Sequence, residues 1–344
     1  MAHREGITVS PHDWAMIPAG SLIDEQEVIT IEGSLPVEEA CKILVEKNIS
    51  SAPVYAPGNR QEYLGMFDYG DVIAYLLLVL LDQVPGHLQQ EDASIEITDI
   101  IRRAAQGQSV PVSLASDLSQ KNPFYSILPE TTLLSALEEF ACGTHRVSVL
   151  NPDGSIKGIL SQSTVVQYLF NNQKQFPNLE ATLGKTLAQL DLGETDVIGV
   201  SSDARVLDAL SEMSRHGVSS VAVLSSNNVV MGNISMTDIK HVMKNLRHEL
   251  LRSTAFQFVS VVRTEQGIDD GQDRLPVFDV RLETTFGFTI AKLLATRSHR
   301  VWVTDEMGRA IGVVSLTDIT RVFASLAGGK VPHERRASVA QRPL

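Results

Sequence analysis

Four times along this chain, an apolar strand and a turn lead into one short motif. The copies are GMFDYGD (Gly65 to Asp71), GILSQST (Gly158 to Thr164), GNISMTD (Gly232 to Asp238) and GVVSLTD (Gly312 to Asp318). Ahead of them run APVYAPGNRQEYL, VSVLNPDGSIK, VAVLSSNNVVM and VWVTDEMGRAI. The Pro-Gly-Asn, Asn-Pro-Asp-Gly and Ser-Asn-Asn segments within these are hairpin or loop chemistry. Upstream of each strand pair, apolar residues recur at the helical spacing of three and four over Val37 to Ile49, Leu133 to Thr144, Val206 to Gly217 and Thr289 to Ser298. Short strands such as VITIEGS, VIGVSSD and VFDVRLE precede these helices, and second helices such as IKHVMKNL and ITRVFASL follow the motifs. The unit is strand-helix-strand-strand-helix, and its fourfold repetition constrains the fold more than composition does. One short unit cannot bury both faces of its small sheet, so the units must pair.

With 344 residues, 43% hydrophobic and 20% charged, the chain has ample material for a large core or about two domains. A net charge of -12 argues against a diffuse nucleic-acid or anionic-membrane footprint, because both need clustered positive charge. Any bound anion must be held by a local basic group. The two cysteines, Cys41 and Cys142, sit in apolar segments that read as helical, which gives no disulfide or metal framework and suggests a reducing compartment. The opening MAHREGITVSPHDW lacks the apolar core of a signal peptide, and VIAYLLLVLL (Val72 to Leu81) is far short of a span of roughly 18 residues and reads as a buried helix. The expectation is a soluble intracellular protein with no membrane or nucleic-acid partner.

The unit resembles the CBS domain, and four in tandem resemble the gamma subunit of AMP-activated protein kinase. The stretches FDYGDVIAYLLLVL (Phe67 to Leu80), FVSVVRTEQGIDDGQDRLPVFDV (Phe258 to Val280) and TIAKLLATRSHRVWV (Thr289 to Val303) are similar to the fungal Sds/Moc family of four-CBS proteins. The similarity covers about residues 12 to 327. It implies an α/β (α+β) fold of four tandem repeats, paired through their sheets into two Bateman modules that form a disk with ligand clefts near its centre. It also implies a non-enzymatic regulator that restrains a PP2A-like phosphatase, in cell-cycle progression, DNA replication, cell separation and nutrient signalling, in cytoplasm and nucleus. The alternative is a gamma-type subunit of a kinase complex that senses AMP, ADP or ATP. A third reading is a scaffold whose clefts are remnants. The repeats fall at 12–81, 122–175, 185–247 and 248–327, with an insertion at 82–121 and a polar tail at 328–344. The insertion, with Gln89 to Asp92 and Gln106 to Gln108, reads as partly helical.

Ser235-Met-Thr-Asp238 and Ser315-Leu-Thr-Asp318 each precede an amphipathic helix and fit a capping box, in which the carboxylate reaches back to the serine N–H. That role alone accounts for the residue types. The resemblance adds a second role, since the matching aspartate of the gamma family takes both hydroxyls of a ribose. Asp71, Asp238 and Asp318 match that position and Thr164 does not, so the second repeat lacks its own ribose acceptor.

His145-Arg146 opens the strand of repeat two and His299-Arg300 that of repeat four. Repeat one has Ser50-Ser51 there, and repeat three reads as Gly217 followed by Val218-Ser219. Such alternation brings both basic pairs to one central region of a disk. Arginine offers a planar fork matched to phosphate, and histidine donates to phosphate oxygens. The gamma family carries further basic residues near Ser50 and at Gln162 and Ser163, all absent here. At roughly 1.5–3 kcal/mol per charge-assisted contact, their loss removes at least one gamma-type nucleotide site. The expected site is a central one using His145, His299, Arg300, Ser315 and Asp318, with Ser219 and Ser220 near the base and Arg146, Asp71 and Asp238 as further ligand-binding candidates. There is no P-loop, Gly-x-Ser-x-Gly or His-Glu-x-x-His, so nothing points to catalysis. Arg335-Arg336-Ala337-Ser338 fits a basic-directed kinase site, a match common by chance.

Overall fold

The computed structural model describes residues 13–23, 26–81, 83, 95–244, 247–270 and 278–331. Arg335 to Ser338 and Gln89 to Asp92 lie outside the described residues. The predicted unit appears four times as a three-stranded sheet with helices. Repeat one is β1 (Ile31–Glu32), α1 (Val37–Glu46), β2 (Ser51–Ala56), β3 (Asn59–Asp68) and α2 (Tyr69–Leu81). The segment leading to repeat two carries α3 (Ile95–Ala105) and α4 (Val112–Ala115). Repeat two is β4 (Ser126–Ile127), α5 (Leu133–Ala141), β5 (Arg146–Leu150), β6 (Ile156–Ser161) and α6 (Gln162–Asn171), followed by α7 (Pro177–Leu183). Repeat three is β7 (Gly199–Ser201), α8 (Val206–Arg215), β8 (Ser220–Leu224), β9 (Val230–Ser235), a 3-10 turn and the short α9 (Lys240–Met243). The long second helix expected there is reduced to these two short pieces. Helix α10 (Ala255–Asp270) leads to repeat four, which is β10 (Asp279–Val280), α11 (Phe286–Thr296), β11 (Arg300–Thr304), β12 (Ala310–Ser315) and α12 (Leu316–Leu326).

In every sheet the first strand lies parallel to the second, across the helix between them, and the third is antiparallel to the second. Each hairpin shifts register at the matching place, after Val54, Val149, Val223 and Val303. The residues paired with those valines are the motif glycines Gly65, Gly158, Gly232 and Gly312. Their function is close approach. A Cβ on Gly158 would strike Ile23, from the segment before repeat one, and on Gly312 it would land on the Gly193 carbonyl, before repeat three. At Gly232 it would lie 2.8 Å from Val259 of α10, and at Gly65 3.2 Å from Ser116 Oγ just past α4. Each repeat's sheet is therefore crossed by the segment that precedes its module partner. This exchange ties repeats one and two together, and repeats three and four.

The helices pack along the other diagonal. One core joins repeats one and three, with Leu44, Phe67, Leu77 and Leu78 against Leu210, Met213 and Ile239. The other joins repeats two and four, with Leu137, Phe140 and Leu169 against Ile290, Leu293, Ile319 and Phe323. Within it Phe323 meets Phe286 edge-on at 5.8 Å between ring centroids. Sheets pair within modules and helices between them, so the four repeats close into a disk. Cys41 and Cys142 are buried and form no disulfide. Among the described residues no helix is long and apolar enough to cross a membrane, and α2 is 13 residues with Leu77 and Leu78 in the core.

Candidate functional site

The hairpin registers set the site. They pair Ser51 with Asp68, Arg146 with Ser161, Ser220 with Ser235 and Arg300 with Ser315. The equivalents of His-Arg are therefore Ser50-Ser51 and Ser219-Ser220, one residue beyond the Val218-Ser219 expected from sequence. Each guanidinium crosses to the serine pair of its module partner. Arg146 Nη1 donates to Ser50 Oγ at 2.9 Å and to Ser51 Oγ. Arg300 Nη1 donates to the Ser220 carbonyl at 3.2 Å, and its Nη2 donates to Ser219 Oγ. The alternation along the chain is thus a donor–acceptor match within each module. Ser219 and Ser220, expected near a base, line the larger cavity and accept from Arg300 through the Ser219 hydroxyl and the Ser220 carbonyl.

The two arginines and their histidines meet in the middle of the disk. His145, Arg146, His299 and Arg300 all line one cavity of about 340 Å³, with Asp238 and Trp302 on its wall. The same four residues, with Ser219 and Ser315, line a neighbouring cavity of about 70 Å³. Neither guanidinium lies within ion-pairing distance of a carboxylate among the described residues. Burial lowers the Arg146 pKa, opposed by the fields of Asp68 and Asp71. Burial likewise lowers Arg300 to about 10, opposed by Asp318. His299 is pushed down to about 4, by its protein surroundings first and by Arg146 and Arg300 next. His299 lines both cavities with two cations beside it, and the lowered pKa keeps it neutral near pH 7.

The aspartates divide. Asp238 lines the larger cavity. Its Oδ2 accepts from the Ser235 N–H at 2.7 Å and from the Ser235 hydroxyl at 2.7 Å, the predicted capping box. Its Oδ1 accepts no hydrogen bond from the described residues. Burial raises its pKa, offset in part by Ser235, His241 and Lys240. Asp318 forms the same box, accepting from Ser315 N–H at 2.8 Å, but its Oδ1 turns to Arg321 at 3.4 Å and it lines neither central cavity. Asp71 is also outside them. The segment around α4 lies over the start of α2, and Asp71 is sealed there, accepting from Ser119 N–H at 2.8 Å and Asp68 N–H at 3.0 Å. Burial first, and Asp68 next, push its carboxyl well above the usual range. For Asp71 and Asp318 the cap is what the geometry shows.

Sequence reasoning missed Trp302, two residues along β11 from Arg300 and hence on the same face of the sheet, roughly 7 Å away. Its indole Nε1 donates to Asn233 Oδ1 at 3.3 Å, and its flank lines the cavity. Alternation in a strand was the available signal. It also missed what Gln162 does. Gln162 is buried and donates to the carbonyls of Phe140 and Thr144 and to Thr317 Oγ1, at 3.0–3.1 Å, so it ties α5 to α12 beside the smaller cavity. No group of three metal-ligating side chains occurs among the described residues.

Comparison with known proteins gives a consistent set of likenesses. The CBS domain family model matches residues 20–78, 115–171, 190–245 and 273–325. Protein SDS23 of Kluyveromyces lactis is 34% identical over 336 residues, covering 90% of this chain and 63% of that protein. Protein sds23/moc1 of Schizosaccharomyces pombe is 31% identical over 343 residues, covering 93% and 82% respectively. The chain thus spans less than two thirds of the Kluyveromyces relative's length. Among solved structures, protein MJ1225 of Methanocaldococcus jannaschii, proposed as an archaeal homolog of g-AMPK, superposes with a TM-score of 0.64 at 14% identity. That match covers 89% of this chain and 100% of the other, and it is a likeness of fold.

Proposed function

The chain belongs to the fungal Sds23/Moc family of four-CBS-repeat proteins, and from that premise we propose that it is a non-catalytic regulator of a PP2A-like protein phosphatase whose central cavity takes one adenine nucleotide. The observation that carries the ligand half is the pair of half-buried guanidiniums, Arg146 and Arg300, brought to one cavity with no carboxylate in ion-pairing reach among the described residues. Two cations partly withdrawn from water beside one cavity favour an anion that joins them. Each fork keeps N–H groups beyond those given to the serines, and phosphate matches that geometry. Asp238 Oδ1 supplies an acceptor for ribose hydroxyls, and the Trp302 flank supplies an apolar surface for a base. A cavity of about 340 Å³ is at the lower end of the range for small-molecule sites, which suits a mononucleotide.

The phosphatase half rests on family membership and on the earlier resemblance. The absence of basic side chains at Ser50 and Gln162 favours it over a gamma-type kinase subunit. Titration calorimetry with AMP, ADP and ATP tests the ligand half, with one nucleotide per chain expected. Four equivalent sites, or no binding at millimolar nucleotide, would overturn it. Capture of a PP2A-like catalytic subunit by the purified chain, with and without AMP, tests the other half. Capture of a kinase catalytic subunit in its place would overturn that.

A further inference from the structure

Asp68 stands where the other three motifs carry Ser161, Ser235 and Ser315. Either residue type can cap the helix that follows. Ser161 Oγ accepts from Thr164 N–H at 3.2 Å, Ser315 Oγ from Asp318 N–H at 3.3 Å, and Asp68 Oδ1 from Gly70 N–H at 2.7 Å and Asp71 N–H at 3.1 Å. Capping therefore does not require a carboxylate here. What the carboxylate adds is negative charge, 2% exposed and set in the wall of the central cavity. Its Oδ2 accepts from Asn122 Nδ2, a neutral donor, and among the described residues no cation pairs with it. Arg146 shares that wall and feels its field. The other half of the cavity differs. There the cap is Ser235 and the wall carboxylate is Asp238, which is not among the charges that shift Arg300, while Asp318, whose field does reach Arg300, lies off the wall. The two arginines are equivalent in register and unequal in surroundings.

We propose that Asp68 sets how many phosphates the central cavity accepts: it repels a polyphosphate tail reaching toward Arg146 and confines the ligand to one phosphate held by Arg300. This rests on the nucleotide reading of the cavity. A unit charge at a few ångströms, at an effective dielectric constant near 20, changes affinity by about tenfold or more. The wild-type chain then prefers AMP to ATP.

The test compares wild type with Asp68→Ser, which keeps a hydroxyl cap, and Asp68→Asn, which keeps the shape and removes the charge. Circular dichroism and melting establish that each folds, and the variant that folds is the one read. AMP, ATP and inorganic tripolyphosphate are titrated into each protein. The expected result is an ATP affinity raised about tenfold with AMP changed less than twofold. An unchanged AMP-to-ATP ratio, in a protein that binds AMP, overturns the role of Asp68 and leaves the nucleotide reading standing. If neither protein binds AMP or ATP, the nucleotide reading falls and tripolyphosphate decides. Tighter tripolyphosphate binding by the variant sustains the role of Asp68, and equal binding overturns it.

Discussion

Replacing Arg300 with alanine separates a ligand-binding arginine from a structural one, because its stability terms nearly cancel. The side chain makes two charge-assisted hydrogen bonds, to Ser219 Oγ and the Ser220 carbonyl. At about 1.5–3 kcal/mol each, they contribute about 3–6 kcal/mol to the folded state. Against this stands the burial of the cation. A pKa lowered from 12.5 to about 10 means that the folded site disfavours the charged form by about 3 kcal/mol. Arg300→Ala therefore costs about 0–3 kcal/mol of stability, within the range of ordinary substitutions. A phosphate held by that guanidinium loses about 1.5–3 kcal/mol of binding per contact, so affinity for AMP falls about tenfold to 100-fold or more. Urea denaturation and titration calorimetry on one preparation measure both quantities. A cooperatively folded Arg300→Ala protein with AMP affinity within twofold of wild type would refute the reasoning. So would a stability loss above about 5 kcal/mol, because the cation would then be holding the disk together.

Other perturbations probe the remaining features. Asp238→Asn should weaken AMP binding about tenfold, through loss of a charged acceptor on the cavity wall, whereas Asp318→Asn should leave it unchanged and lower stability by less than about 1 kcal/mol, since asparagine still caps. Calorimetry and melting of the two variants side by side check this contrast. The folded-state pKa of His299 is depressed from 6.5 to about 4, so the unfolded chain takes its proton first, and its contribution to stability is present above about pH 6.5 and lost as pH falls toward 4. A bound phosphate reverses that depression, so AMP binding should take up a proton near pH 6 in wild type and less in His299→Ala, as read by calorimetry in buffers of different ionisation enthalpy. Gly312→Ala should cost several kcal/mol or prevent folding, because its Cβ would meet the Gly193 carbonyl, while Gly65→Ala meets the Ser116 hydroxyl at 3.2 Å and should fold. Thermal melting of both distinguishes them.

Local pattern carried much of this molecule. The helical periods over Val37 to Ile49, Leu133 to Thr144, Val206 to Gly217 and Thr289 to Ser298 correspond to α1, α5, α8 and α11, and the Ser-x-x-Asp segments make the capping boxes that their spacing implies. These are short-range effects, decided by side chains three or four positions apart. The expected second helix of repeat three was an exception. After Ser235 the chain makes one 3-10 turn and one short helix, and His241 from that helix is drawn to Glu265 of α10 at 2.6 Å.

By itself the sequence determined the repeating unit, the number of repeats, the need to pair them and the basic residues at alternate strand mouths, because each is written in spacing along the chain. Only the tertiary structure decided which copies of the motif meet. The exchanged segments that cross Gly65, Gly158, Gly232 and Gly312 join repeats one to two and three to four, and the helical cores join one to three and two to four. That closure carries Arg146 and Arg300 to one cavity with Asp238, seals Asp71 beneath Ser119 and leaves Asp318 against Arg321. Three aspartates at one motif position thus end in three environments. A capping motif encodes contacts across one turn of chain, whereas exposure to a central cavity depends on what distant segments cover, and local spacing does not encode that.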